Sequence, residues 1–173
     1  KRLMPQLYLS LGSNEGDREA LLHQAIDAID RLIGPVGGIA TFIETEPWGF
    51  ESPHPFLNTA LVLTTSLSPL EVLDRTQEIE RQLGRQRDGF RMDGNDTDHR
   101  GRSFFLRSCL LPFSIFCTLR LILESRRLTL PHPLLTERLF VLEPIREIAP
   151  EFIHPLLGRS IEELYTELRS RLS

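Results

Sequence analysis

The spacing of apolar and polar positions changes period several times along the chain, and each change marks an element. Leu7 to Leu11 is a short β-compatible apolar run that stops at Gly12-Ser13-Asn14, a turn cluster that hands the chain to a helix. From Asp17 the spacing becomes helical, with Leu21, Leu22, Ala25, Ile26, Ile29, Leu32 and Ile33 on one face, Asp17 as N-cap and Gly34-Pro35 as the stop. Ile39 to Thr45 and Phe56 to Thr65 read as strands, and the connection from Glu46 to Pro55 is too long for a tight hairpin turn, leaving room to touch a ligand. Ser68-Pro69-Leu70-Glu71 combines an N-cap, a proline at the first helical position and a glutamate suited to a capping box. A second helix is predicted from there, with Leu70, Leu73, Ile79 and Leu83 among its apolar positions and Gly84 at its end.

Beyond Gly84 the pattern weakens. After a polar passage rich in Arg and Asp, the apolar stretch Phe104 to Leu123 has neither clean alternation nor a helical period. Arg127 to Leu130 is strand-like and is broken by Pro131-His132-Pro133, Leu139 to Leu142 opens a short apolar segment ending near Pro150, and a final helix runs from about Ile161 to Leu172. The order β-α-β-β-α-β predicts an α+β fold of the ferredoxin-like kind, an antiparallel sheet with helices on one face. With 173 residues, a single domain over 1–173 is expected, large enough to bury roughly 70% of its unfolded surface.

Composition narrows the function classes. At 40% apolar and 25% charged residues the chain is an ordinary globule, and a net charge of −4 provides no global field for nucleic acid or anionic lipid. Anion binding would have to come from local arginine clusters. Cys109 and Cys117 are too few for a disulfide framework and lack metal-ligand spacing, which suits a cytoplasmic location. No secretory leader is expected from the opening residues Lys1 to Pro5, and the longest apolar-rich run, Ser108 to Leu119, is shorter than the roughly 20 residues that span a bilayer.

Four clusters carry candidate chemistry, each with an ordinary structural reading beside it. Thr45-Glu46-Pro47-Trp48-Gly49 with Phe56-Leu57-Asn58 reads as turn chemistry and packing, or as aromatic faces beside an amide that suit a flat heterocycle hydrogen-bonded along its edge. Gln77, Glu80, Arg85 and Arg87 are solvated helix-end polar groups or part of an anion site. Arg127, Thr129, His132 and Arg138 place cations, a hydroxyl and an imidazole close in sequence, and arginine forks match phosphate oxygens. Asp96-Thr97-Asp98 has the Asp-x-Asp spacing that puts two carboxylates on one face of a strand for Mg²⁺, although its setting, with Asp93 and Gly94-Asn95 before it and His99-Arg100-Gly101 after, reads equally as a polar turn.

Taken in order, these motifs resemble the 6-hydroxymethyl-7,8-dihydropterin pyrophosphokinase family. The resemblance runs from about Leu7 to Phe90 and from Glu124 to the C-terminus. It is carried by Gly12-Ser13-Asn14, Thr45 to Gly49, Phe56-Leu57-Asn58, Gln77 to Glu80 and Gly84-Arg85 with Arg87. Arg127-Leu128-Thr129-Leu130-Pro131-His132-Pro133, Glu137-Arg138, Phe140-Val141-Leu142 and Glu147-Ile148-Ala149-Pro150 complete it. It implies that Thr45, Trp48, Phe56, Asn58 and Phe140 hold a pterin, with Phe56 and Phe140 sandwiching the ring. Gln77, Glu80, Arg87, Arg127, Thr129, His132 and Arg138 would line an ATP site, with Arg85, Arg87, His132 and Arg138 carrying the transfer. It also implies two Mg²⁺ ions and attack of the pterin hydroxymethyl oxygen on the β-phosphorus of ATP, releasing AMP, by positioning and charge neutralisation.

The chain departs from the family pattern between about Arg91 and Leu123. Counted back from His132, the two acidic positions of the family's central strand fall on Pro112 and Ser114, and the arginine before them on Cys109. Either Asp96 and Asp98 bind the metal ions from before a true insertion, or the stretch is non-homologous, as when compensating insertion and deletion in the coding DNA shift the frame and restore it near Glu124. The rival functional classes are a catalytically impaired ATP- or pterin-binding protein of the same fold, and a ferredoxin-like RNA-binding domain. The acidic charge and the absence of an aromatic RNA-binding pattern argue against the last.

Overall fold

The computed structural model describes residues 6–13, 16–46, 55–88, 114–118, 123–124, 129–130 and 135–173. In chain order its elements are β1 (Gln6–Ser13), α1 (Arg18–Leu32), β2 (Val36–Ile39), β3 (Ile43–Thr45), β4 (Phe56–Thr64) and α2 (Pro69–Asp88). Then follow β5 (Ser114–Thr118), β6 (Leu123–Glu124), β7 (Thr129–Leu130), a 3-10 turn at Leu135–Glu137, α3 (Leu139–Ile148) and α4 (Ile161–Leu172). The main sheet is antiparallel with strand order β2-β4-β1-β5, and β3 lies farther along β4. β6 and β7 form a separate two-stranded pair.

The α+β class with an open antiparallel sheet stands as expected, but the helices are not confined to one face. Leu7, Leu9, Leu11, Leu61 and Leu63 pack with Leu22, Ile26 and Ile29 of α1 and with Val72, Ile79 and Leu83 of α2. Tyr8, Ala60 and Val62, the alternate positions of the same strands, pack with Val141, Leu142 and Ile145 of α3 and with Ile161, Leu164 and Leu168 of α4. A strand apolar at consecutive positions has two faces to cover. Every residue of β1 after half-buried Gln6 is accordingly buried.

Local signals placed most helix starts correctly. Asp17 accepts a hydrogen bond from the Ala20 N–H at 3.1 Å, and Ser68 with Glu71 forms the expected reciprocal box at 2.7 and 3.3 Å. α4 starts on a second such box, Ser160 with Glu163. Three expectations are corrected. α2 continues through Gly84 to Asp88, because one glycine costs only about 1 kcal/mol in a helix and Arg85, Gln86 and Arg87 are good helix formers. The strand expected over Ile39 to Thr45 is two pieces, and the first begins at Val36. At the break the Thr41 N–H leaves the ladder for the Glu147 carboxylate, 3.1 Å away, while the Ala40 N–H still reaches the Ala60 carbonyl at 2.9 Å. The segment from Leu139 is a ten-residue helix despite Pro144, since Val141, Leu142, Pro144 and Ile145 are all buried and tertiary packing outweighs the lost backbone bond.

Two structural predictions follow from single residues. A Cβ at Gly34 would fall 1.9 Å from the Thr64 carbonyl oxygen, and backbone cannot swing aside as a side chain can. Gly34→Ala should therefore destabilise by about 3 kcal/mol, read from the urea midpoint. An unchanged midpoint would contradict this approach of chain to strand.

His154 is buried, and its Nδ1 accepts from the N–H groups of Leu156 and Leu157, both at 3.2 Å. Burial holds its pKa below the ordinary 6.5 because desolvation disfavours the charged ring. As pH falls below 6.5 the unfolded chain takes up this proton before the folded chain does, so the stability contributed by neutral His154 is lost with acid. The stability advantage of the parent over His154→Asn, whose Oδ1 can accept the same bonds without titrating, should shrink as pH is lowered through this range. A pH-independent difference in urea midpoint would refute it.

Candidate active site

β4 alternates its side chains between the two helical layers. Leu57, Leu61 and Leu63 belong to the α1–α2 side, so Phe56 and Asn58 share the face of Ala60 and Val62 that α3 covers. Thr45 is the cross-strand partner of Phe56, and Ile43 that of Asn58. Asn58, 2% exposed, donates from Nδ2 to the Thr45 Oγ1. On its other side Asn58 stands opposite Gly12 of β1, where there is no side chain to fill the space above the strand. The result is a carboxamide and a hydroxyl fixed against each other at the end of a central strand, beside a half-buried phenyl ring.

α3 packs across β4 and touches β3, and two further candidates, Arg138 and Phe140, stand at its start, Phe140 on the same core as Ala60 and Val62. Phe140 is half-buried, and the Arg138 guanidinium carbon lies 5.8 Å from its ring centroid. Burial lowers the pKa of Arg138 from its ordinary value while neighbouring Glu137 opposes the shift. An arginine remains protonated under such a shift, so Arg138 is a cation with reduced hydration at the helix start. The helix end itself is held by Glu147, whose carboxylate takes the Thr41 N–H and, at 2.8 Å, the Thr41 hydroxyl. That contact fixes α3, with Arg138 and Phe140, against the strand segment leading to Thr45.

Gln77 and Glu80 lie one turn apart on α2, both half-buried, on the helix that packs against the opposite face of the sheet. Arg85 and Arg87 are on the last turns of the same helix, where the backbone alone is described; the expected loop position for them is replaced by a helical one. Thr129 is on β7, opposite Glu124. Trp48, Asp96, Asp98, Arg127 and His132 lie outside the described residues. The site thus unites Thr45, Phe56, Asn58, Arg138 and Phe140 on one face.

Two contributions had no signal in residue type or local spacing. Glu147 was visible only as part of a motif, and its partner Thr41 stands on a distant strand break. Arg18, the first residue of α1, donates from Nη1 to the Pro55 carbonyl and from Nη2 to Glu44 Oε2, each at 2.9 Å.

The described residues give little to a hard cation. β5, the strand beside β1, reads Ser-Ile-Phe-Cys-Thr, with no carboxylate, and no group of three His, Cys, Asp or Glu among the described residues could hold a metal ion. No helix among them is long and apolar enough to cross a membrane.

Fold and site together define an α+β protein with a buried amide–hydroxyl pair on the sheet face that α3 covers, and a cation beside an aromatic ring at the start of that helix. The family described as 7,8-dihydro-6-hydroxymethylpterin-pyrophosphokinase (HPPK) matches residues 8–150. A 2-amino-4-hydroxy-6-hydroxymethyldihydropteridine pyrophosphokinase of Porphyromonas gingivalis is 40% identical over 152 residues, 88% of this chain and 95% of its own length. The Bacillus subtilis protein of the same name is 37% identical over 145 residues, 83% of this chain and 78% of its own. A Plasmodium falciparum HPPK-DHPS crystal structure aligns with a TM-score of 0.73 at 14% identity, covering 99% of this chain and 44% of that one. That likeness shows a shared fold, and the chain spans less than half the length of the solved protein. The chain belongs to the 7,8-dihydro-6-hydroxymethylpterin-pyrophosphokinase family.

The Asn58–Thr45 bond makes a prediction independent of any ligand. Thr45→Val leaves a buried amide N–H without its acceptor and should cost about 1–3 kcal/mol in unfolding free energy. Thr45→Val combined with Asn58→Leu should cost less than the sum of the single changes. Strict additivity in thermal or urea unfolding would show that the pair contributes nothing through this bond.

Proposed function

We propose that the chain transfers pyrophosphate from ATP to 6-hydroxymethyl-7,8-dihydropterin, releasing AMP, as a step of folate biosynthesis, and that residues 1–173 act as a single domain for it. The observation that carries this reading is the Asn58–Thr45 pair on the sheet face that α3 covers, with Arg138 and Phe140 together at the start of that helix. A pterin presents a planar ring with alternating donors and acceptors along one edge. A carboxamide offers one of each, and a hydroxyl fixed beside it extends the row. Phe56 and Phe140 are then the faces that stack on the ring, and Trp48 is proposed as a further wall of the pocket.

ATP is the co-substrate in this reading. Arg138, partly desolvated beside Phe140, is proposed to meet phosphate oxygens, where its fork neutralises charge that builds during transfer. Gln77, Glu80, Arg127, Thr129 and His132 are proposed as the remaining nucleotide contacts, with Arg85 and Arg87 approaching from the end of α2. No covalent nucleophile is required, because in-line attack by the pterin alcohol depends on position and charge.

Magnesium enters only as an expectation from the family. β5 offers no carboxylate, and the side chains proposed for two Mg²⁺ ions are Asp96 and Asp98 on the strength of their spacing. A cytoplasmic location is proposed on the same footing, from the family's pathway.

The decisive experiment follows AMP by chromatography after mixing the chain with ATP, Mg²⁺ and the pterin alcohol. Pterin-dependent AMP is expected; ligand-induced stabilisation with no AMP would overturn the enzymatic reading and leave a binding protein. Arg138→Ala should lower AMP formation by about 100-fold or more. Its thermal midpoint should change by only a few degrees, roughly what a 1 kcal/mol loss produces in a domain of this size. Equal turnover in parent and variant would remove Arg138 from the phosphate site.

A further inference from the structure

We propose that Arg18 is a positioning residue for the ring site, fixing the separation between its Thr45 and Phe56 sides; this rests on the reading of that site as the pterin pocket. Arg18 reaches the site one residue upstream of Thr45 and of Phe56. Its two bonds end on the residues just before them: Nη2 donates to the Glu44 carboxylate and Nη1 to the Pro55 carbonyl, both at 2.9 Å. Thr45 and Phe56 are themselves cross-strand partners, so the fork closes over the last rung of the ladder.

Three further observations make this more than a surface ion pair. First, β3 is only three residues long and, among the described residues, pairs with β4 alone, so that ladder by itself holds Thr45 weakly. Second, the anchor is stiff. α1 is capped by Asp17 and buries Leu21, Leu22, Ala25, Ile26, Ala28 and Ile29, so its first residue is a fixed point against the sheet. Third, a cation in the first turn of a helix opposes the helix dipole, so Arg18 gains nothing there from α1 itself.

The chemistry also selects arginine. A planar guanidinium directs two N–H groups in a fixed fork, reaching a carboxylate and a carbonyl together, whereas an ammonium is one rotating point charge. The ion pair is partly solvated, with side-chain exposures of 27% for Arg18 and 58% for Glu44, so screening keeps its contribution to folding modest. What its loss changes is the distance between the two strands at the point where the ring is gripped.

The test is fluorescence titration of the full chain with 6-hydroxymethylpterin, with and without a non-hydrolysable ATP analogue, alongside a separate titration of the analogue. In Arg18→Met the pterin Kd should rise about tenfold, the analogue Kd should stay within about twofold, and the thermal midpoint should move by no more than roughly 2 °C. Arg18→Lys should fall between parent and Arg18→Met, since it keeps one of the two bonds. Equal pterin affinity in parent and Arg18→Met overturns the inference while leaving the site reading intact. Parallel loss of pterin and analogue affinity with a midpoint drop of many degrees also overturns it, because it marks general destabilisation. A parent chain that never binds pterin overturns the site reading itself, and the inference with it.

Discussion

The antiparallel ladder between β1 and β4 is the constraint on which the rest depends. Its eight register pairs set two strands with apolar side chains on both faces into the middle of the sheet. Burying Leu7, Leu9, Leu11, Leu61 and Leu63 on one side contributes about 1.5–3 kcal/mol for each side chain, and this face can be covered only by α1 and α2. The opposite face, with Tyr8, Ala60 and Val62, draws in α3 and α4. The register that satisfies both cores leaves Asn58 opposite Gly12. A polar residue thus stands at the strand end just where the apolar pattern stops, and α3 arrives above it because the second core requires that helix.

What the sequence disclosed follows from range. Caps and boxes act over three or four residues, so Asp17, Ser68 with Glu71, and the last helix were legible from residue order alone. β2 was not, because Gly37-Gly38 carries no strand preference. Its placement depends on Val62, whose Cγ1 would lie 2.9 Å from a Cβ at Gly38. α3 was hidden by Pro144, which argues against a helix in isolation and is overruled by burial in a core that no local window contains. The expectation of helices on one face failed for the same reason: alternation within β1 and β4 shows that both faces are apolar only when their partners are known.

The candidate site divides in the same manner. Thr45, Phe56, Asn58 and Arg138 were recognisable by residue type and Phe140 through the family resemblance, and β3, β4 and α3 carry them on one side of the sheet. The groups that hold them in place were not. Arg18 reaches across 26 residues to Glu44 and 37 to Pro55, and Glu147 reaches across 106 to Thr41. These two contacts come from opposite helical layers and seize the same strand. Arg18 fixes its far end beside Thr45, and Glu147 fixes the break before it. These polar contacts tie the segment that carries Thr45 to both helical layers at once, one through α1 and the other through α3.

The strand beside β1 separates what the fold demands from what the proposed reaction demands. A ladder requires backbone N–H and C=O groups and side chains that tolerate a pleated surface; Ile115, Phe116, Cys117 and Thr118 do so, and Ser114 pairs opposite Ser10. A hard divalent cation requires carboxylate oxygens, and none of these five residues has one. β-pairing is therefore permissive at a place where phosphoryl chemistry is exacting. The sheet can close on β5 whatever the origin of that stretch, while charge neutralisation must come from outside this strand. In this chain β4, which carries the residues proposed to grip the ring, and β5, which has no carboxylate, lie on either side of the same β1, so retention of the fold is no measure of retention of a metal site.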